Sequence, residues 1–105
     1  MANWGFVTNH GAVLALISEH RQITAREIAL RLGITERSVH RIIADLEREG
    51  YIQRERVGRF NWYEVNSDLP LRHPEMRDIA VGKLLDALLP GGVGDELLAA
   101  EESSA

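Results

Sequence analysis

Residues 23–52 read ITAREIALRLGITERSVHRIIADLEREGYI, and the spacing of three residues within them is specific. Ala29, Gly33 and Val39 stand four and then six positions apart, with Ile28, Leu32, Ile34 and Ile42 around them. Two helices that cross steeply through a short turn need a small residue where they come closest. They need one that tolerates left-handed backbone in the turn, and a compact apolar residue on the second helix to hold the angle. The flanking signals agree. Thr24-Ala25-Arg26-Glu27 has the form of a capping box, so a helix starts at Thr24 and is stopped by Gly33. Thr35 caps the next, whose stripe is Val39, Ile42, Ile43 and Leu46 and whose end is set by Gly50.

Working outward, Val13, Leu14, Leu16 and Ile17 recur at helical spacing and predict an earlier helix between Asn9 and His20, with Thr8 or Asn9 as its cap. Beyond Gly50, Tyr51–Val57 and Phe60–Val65 are rich in aromatic and β-branched residues, and Gly58-Arg59 between them suits a two-residue hairpin turn. If those two residues form the whole turn, Arg56 pairs with Asn61 and Glu55 with Trp62. A slip of one residue would exchange the faces. Residues 66–74 contain two prolines and read as a connector. Pro74 to Leu89 predicts a last helix, ended by Pro90-Gly91-Gly92. The order is helix, helix, helix, hairpin, helix. The expected fold is therefore mainly α with a small β-hairpin: a winged helix-turn-helix comprising a three-helix core, a wing and an additional C-terminal helix. Its expected divisions are 1–72 for the winged domain with an N-terminal extension, 73–90 for a C-terminal helix that dimerises, and 91–105 for an acidic, flexible tail.

Charge is distributed unevenly along the 105 residues. The whole chain carries −4, yet residues 21–60 hold nine arginines against six carboxylates, and residues 61–105 hold three basic residues against nine acidic ones. Segregation of this kind suits a protein that meets a polyanion with one face, although solvated helix faces would have the same composition. The absence of cysteine excludes disulfide scaffolds, thiolate zinc sites and cysteine nucleophiles, and fits a reducing compartment. MANWGFVTNH has no basic segment or continuous apolar run, and no window approaches the ~18 apolar residues of a membrane span, so a cytoplasmic protein without membrane contact is expected. The four histidines, at 10, 20, 40 and 73, include no His-x-x-x-His pair, and there is no glycine-rich phosphate loop or nucleophile elbow. Neither an enzyme, a metal nor a cofactor is expected.

These residues resemble the helix-turn-helix family, and the hairpin directly after Gly50 makes the chain similar to winged transcriptional regulators of the MarR/ArsR type over roughly Thr8 to Val65. The resemblance implies that the helix after Thr35 is a recognition helix in the DNA major groove, with the hairpin as a wing. Carried onto this sequence, Thr35, Arg37, Ser38 and Arg41 fall on its amino-terminal, outward side, with His40 a weaker candidate that could instead neighbour the wing. Arg37 and Arg41 stand one turn apart, and each could read a guanine or hold a phosphate. On the wing, Arg56 and Arg59 lie near the tip and could enter a minor groove, whereas Arg54 better fits pairing with an acid or packing under the ribbon. Thr8, Asn9 and His10 cluster at a helix N-terminus, which favours a phosphate; ordinary capping is the alternative.

Two features depart from the MarR pattern. Only one helix follows the wing, and the ribbon reads Arg54-Glu55-Arg56 rather than acidic-x-Arg. These leave a minimal winged domain implied and no effector assigned. The apolar residues of the 73–90 helix exceed one narrow stripe, which points to a homodimer formed through it and the aromatic start, Trp4 and Phe6, or to cover for that helix within one subunit. The expected function is a sequence-specific, double-stranded-DNA-binding transcriptional regulator, a dimeric repressor. The alternative is a winged-helix module for protein contacts.

Overall fold

The structure is a computed structural model, and residues 6–89 are described. It is a winged helix: α1 (Asn9–Glu19), α2 (Ala25–Leu32), α3 (Glu36–Arg48), β1 (Ile52–Val57), β2 (Phe60–Val65) and α4 (Val81–Leu88). The chain divides into two compact units at residues 65 and 66.

In the first unit each helix begins on a threonine. Thr8 accepts the Gly11 amide, Thr35 accepts the Ser38 amide at 3.0 Å, and Thr24 with Glu27 forms both bonds of the capping box. Each satisfies donors that a helix start leaves without an intrahelical partner. Between α2 and α3, Gly33 takes the left-handed conformation at φ 69°, and the Ile34 amide returns to the Ala29 carbonyl at 3.1 Å. That six-to-one closure needs a residue without a Cβ penalty at Gly33. The Tyr51 amide returns to Leu46 in the same way at the end of α3. The core of this unit comprises Val13, Leu14 and Ile17 of α1, Ile28 and Ala29 of α2, and Val39, Ile42, Ile43 and Leu46 of α3. Ile23, Tyr51, Ile52 and Tyr63 complete it. Leu32, also on α2, is half-buried.

The hairpin adopts the register anticipated for a two-residue turn, with Val57 opposite Phe60, Arg56 opposite Asn61 and Glu55 opposite Trp62. Gly58 has φ +62°, and no other residue type among the described ones has positive φ. A left-handed glycine followed by a residue of negative φ is the sign pattern of a type II′ turn, whose twist matches that of paired strands. Side chains alternate across the ribbon. Ile52, Arg54 and Arg56 share one face with Val65, Tyr63 and Asn61, and Ile52 and Tyr63 bury it against the helices. Gln53, Glu55 and Val57 share the other with Glu64, Trp62 and Phe60. The Tyr63 amide donates to the Arg21 carbonyl at 3.0 Å, which joins β2 to the α1–α2 connection.

In the second unit, the helix expected over 73–90 is shorter, running only from Val81 to Leu88. Backbone groups that a helix from Pro74 would use are taken by an antiparallel bridge between Pro70 and Ala80. The Leu71 amide donates to Ile79 at 2.9 Å and the Val81 amide to Leu69 at 2.7 Å, and Ala80 is extended. Residues 73–79 instead make tight turns, in which the Met76 amide reaches the His73 carbonyl, the Ile79 amide that of Met76, and the Glu75 amide His73 Nδ1. Pro74 thus starts a turn rather than a helix. Val81 and Leu85 are buried, while Met76, Ile79 and Leu88 are exposed. Trp4, Pro90-Gly91-Gly92 and the 91–105 tail lie outside the described residues.

Candidate nucleic-acid interface

The first two turns of α3 are prepared by Thr35. Its hydroxyl accepts the Ser38 amide and donates to Ser38 Oγ at 2.9 Å, so both hydroxyls are held at the helix start. The buried stripe fixes which way the helix faces, since Val39, Ile42 and Ile43 point inward and leave Arg37, His40 and Arg41 exposed. Neither Arg37 nor Arg41 forms an ion pair with any described residue. His40 stands 4.0 Å from Glu36, one turn back, and is exposed rather than tucked beside the wing.

The last turns of the same helix are different. Asp45 receives Arg48 Nη2 at 2.6 Å and lies 2.8 Å from His10 Nε2, which ties the start of α1 to α3. These contacts, first the His10 hydrogen bond and then that of Arg48, lower the Asp45 pKa below the usual carboxylate range. Glu47 accepts Arg54 Nη2 at 3.3 Å, which ties β1 to α3. Arg54 therefore takes the pairing given above as its better fit. It lies opposite the buried Tyr63, whose hydroxyl pKa is raised chiefly by desolvation and drawn back by the Arg54 charge.

Arg56 and Arg59 are both exposed and have no carboxylate partner among the described residues. Arg56 Nε donates to the Gly58 carbonyl at 3.3 Å, fastening that side chain along the turn. At the start of α1, Thr8 is committed to capping, Asn9 is exposed and His10 is held by Asp45. A shallow cleft between His20, Arg21, Arg31 and Trp62 has its cations engaged: Arg21 with Glu64 at 3.2 Å and Arg31 with His20 at 3.4 Å.

Two roles were missed in the sequence. Asp45 and Glu47 are the carboxylates that set the paired Arg48 and Arg54 apart from Arg37 and Arg41, and only the contacts reveal them. Val57 and Phe60 form an exposed apolar pair at the ribbon tip. Their odd-even placement opposite the Ile52–Tyr63 face could have signalled it. Among the described residues, no three His, Cys, Asp or Glu side chains gather where they could hold a metal, and no helix is long and apolar enough to cross a membrane.

A family model described as the MarR family matches residues 4–59, just over half of the chain. An uncharacterized protein of Methanocaldococcus jannaschii is 37% identical over 59 residues, a match that covers 55% of this chain but only 13% of that protein. Among solved structures, MepR of Staphylococcus aureus, a transcription regulator of the multidrug efflux pump MepA, is similar with a TM-score of 0.55 and 20% identity. The alignment covers 94% of this chain and 65% of MepR. A point variant of MepR aligns with a TM-score of 0.56 at 19% identity, over 95% of this chain and 66% of that one. At that identity the likeness concerns the fold, and the chain spans about two thirds of the MepR length.

Proposed function

The chain belongs to the MarR family, and on that premise we propose that it is a sequence-specific regulator of transcription that binds double-stranded DNA. It acts in the cytoplasm as a dimeric repressor and carries out no catalysis. The observation that carries this reading is the sorting of the arginines. Arg21, Arg48 and Arg54 are spent on Glu64, Asp45 and Glu47, whereas Arg37 and Arg41, one turn apart on α3, and Arg56 and Arg59 on the wing have no carboxylate partner among the described residues. Unneutralised guanidinium groups on an exposed helix start and a hairpin tip suit phosphates and the edge of guanine, which Arg binds in bidentate fashion.

In this reading α3 enters the major groove, with Arg37 and Arg41 as base-reading or phosphate-holding residues and Thr35 and Ser38 close to the backbone. The wing supplies Arg56 and Arg59 to a minor groove, and Arg54 supports the ribbon. Asn9, with Thr8 and His10 beside it, borders a phosphate at the start of α1. The exposed Met76, Ile79 and Leu88 of the second unit, together with the aromatic N-terminal segment, form the contact between two copies. A two-fold pair would present its recognition helices about 34–36 Å apart and favour a palindromic site.

Fluorescence anisotropy with duplexes enriched from a randomised pool, at several salt concentrations, tests this. For Z neutralised phosphates, log K falls against log salt with a slope near −0.9Z. Binding to no duplex would move the chain to the protein-contact class of winged helices, and a monomer by light scattering, both free and on DNA, would remove the dimer.

A further inference from the structure

The DNA-binding reading above leaves the apolar end of the wing unexplained. Val57 and Phe60 are the closing pair of the hairpin, directly opposite one another, and their register puts both side chains on the face away from Ile52 and Tyr63. They are 51% and 55% exposed. A hairpin tip that served only to carry arginines would need no apolar pair there, since solvated polar residues close a type II′ turn equally well and avoid wet hydrocarbon.

Residues 56–61 read Arg-Val-Gly-Arg-Phe-Asn, with two cations and no carboxylate in the tip itself; the nearest acid on the face of Val57 and Phe60 is Glu55, in the next pair along that face. The turn between them is only two residues long, with Gly58 left-handed and its carbonyl fastened to Arg56 Nε at 3.3 Å, so the tip is narrow and braced.

We infer that the tip is a wedge: Phe60, backed by Val57, enters the minor groove and partly unstacks one base step while Arg56 and Arg59 hold the phosphates on either side. The inference rests on the DNA-binding reading and adds a specificity-determining residue to it. Apolar side chains pressed between base pairs from the minor-groove side open the step and bend the duplex, and pyrimidine–purine steps yield most readily. Phe60 would therefore discriminate among sequences without a hydrogen bond to any base. Charge complementarity makes DNA the partner, because an apolar pair flanked along the turn by Arg56 and Arg59, neither with a carboxylate partner among the described residues, matches a base stack bordered by two phosphate strands.

The test uses the full chain and a duplex it has itself enriched from a randomised pool, carrying 2-aminopurine at successive pyrimidine–purine steps and a donor–acceptor dye pair at its ends. The expected result is a rise in 2-aminopurine fluorescence at one step and a bend of about 20–90° on binding. Phe60→Ala removes both and weakens binding by about tenfold, the effect of 1.4 kcal/mol. Phe60→Leu keeps both and Val57→Ala loses part of each. Thermal melts of these surface variants should match the original protein.

Binding with an undiminished salt slope but a silent 2-aminopurine signal, or an unaltered bend and affinity in Phe60→Ala, overturns the wedge and leaves DNA binding standing. Enrichment of no duplex overturns both. A Phe60→Ala change in the size of the free protein, with DNA binding intact, assigns the pair to a contact between copies and also overturns the wedge.

Discussion

Along α3, the first two turns present Arg37 and Arg41 to solvent without an ion pair among the described residues, while the last turns hold Asp45, Glu47 and Arg48 in contacts that reach His10 and Arg54. The first turns set Arg37 and Arg41 against Glu36, the last set Arg48 against Asp45 and Glu47, and all of these side chains lie outside the buried stripe of the same helix. The two ends differ in where the opposite charges lie. Carboxylates at the carboxy-terminal end engage His10 of α1 and Arg54 of β1 and so fix the helix within its domain. At the amino-terminal end the one neighbouring acid, Glu36, stands near His40 rather than an arginine. One helix thus divides into a fastened half and an offered half.

The largest effect expected is loss of both halves together. Ile43 is 2% exposed and lies beneath the helix between them. Ile43→Ala should lower unfolding free energy by about 2–5 kcal/mol, through lost burial and an incompletely collapsed cavity. Denaturant titration would measure it, and DNA affinity should fall in proportion to the unfolded fraction. Next come the offered cations. Arg37→Ala and Arg41→Ala should each weaken DNA binding by about 1–3 kcal/mol if the side chain reads guanine, with sequence preference relaxed at one position. Stability should change by less than about 0.5 kcal/mol, because nothing in the fold depends on them. A comparable loss of stability would show that the two halves of α3 are not distinct.

Much of this architecture was legible in the sequence because its determinants are local. The Thr24–Glu27 box, Gly33, the Thr35 cap and the Gly58-Arg59 turn each act within a few residues, and the ribbon register follows from the turn length. The 73–90 helix was not legible in its true length. Its start is displaced by the bridge between Pro70 and Ala80, a pairing across ten residues that helical periodicity does not register. The candidate cations could be named from sequence but not sorted. Arg48 and Arg41 look alike along the chain, and what separates them is the Asp45 side chain at 2.6 Å. His10, read as bordering a phosphate or a cap, turns out to bridge two helices through an acid 35 positions away.

Smaller effects would sharpen the division. Thr35→Ala removes the hydroxyl that accepts the Ser38 amide, and should cost about 1 kcal/mol of stability. It should also weaken DNA binding, because the offered half starts at that cap. Breaking the Glu47–Arg54 contact with Glu47→Gln should cost less than about 1 kcal/mol, since both side chains are partly exposed and water screens the pair. Its DNA affinity should stay level or rise slightly as Arg54 is released. A large fall in affinity would mean that the fastening positions the wing, and the two halves would then work as one device.

The smallest effect concerns acid. The Asp45 carboxyl is lowered below its ordinary value, first by the hydrogen bond from His10 and then by that from Arg48. A carboxyl with a depressed folded-state pKa gives stability that is present above the unfolded value, near 3.9, and is lost as pH falls through the folded one. The stability difference between the original protein and Asp45→Asn should therefore shrink as pH falls below about 4. Following the Asp45 carboxyl by NMR should separate the two partners, with His10→Ala moving its titration upward further than Arg48→Ala does. The reverse order would make Arg48 the principal holder of Asp45, and the fastened half of α3 would then be closed within one helix rather than bound to α1.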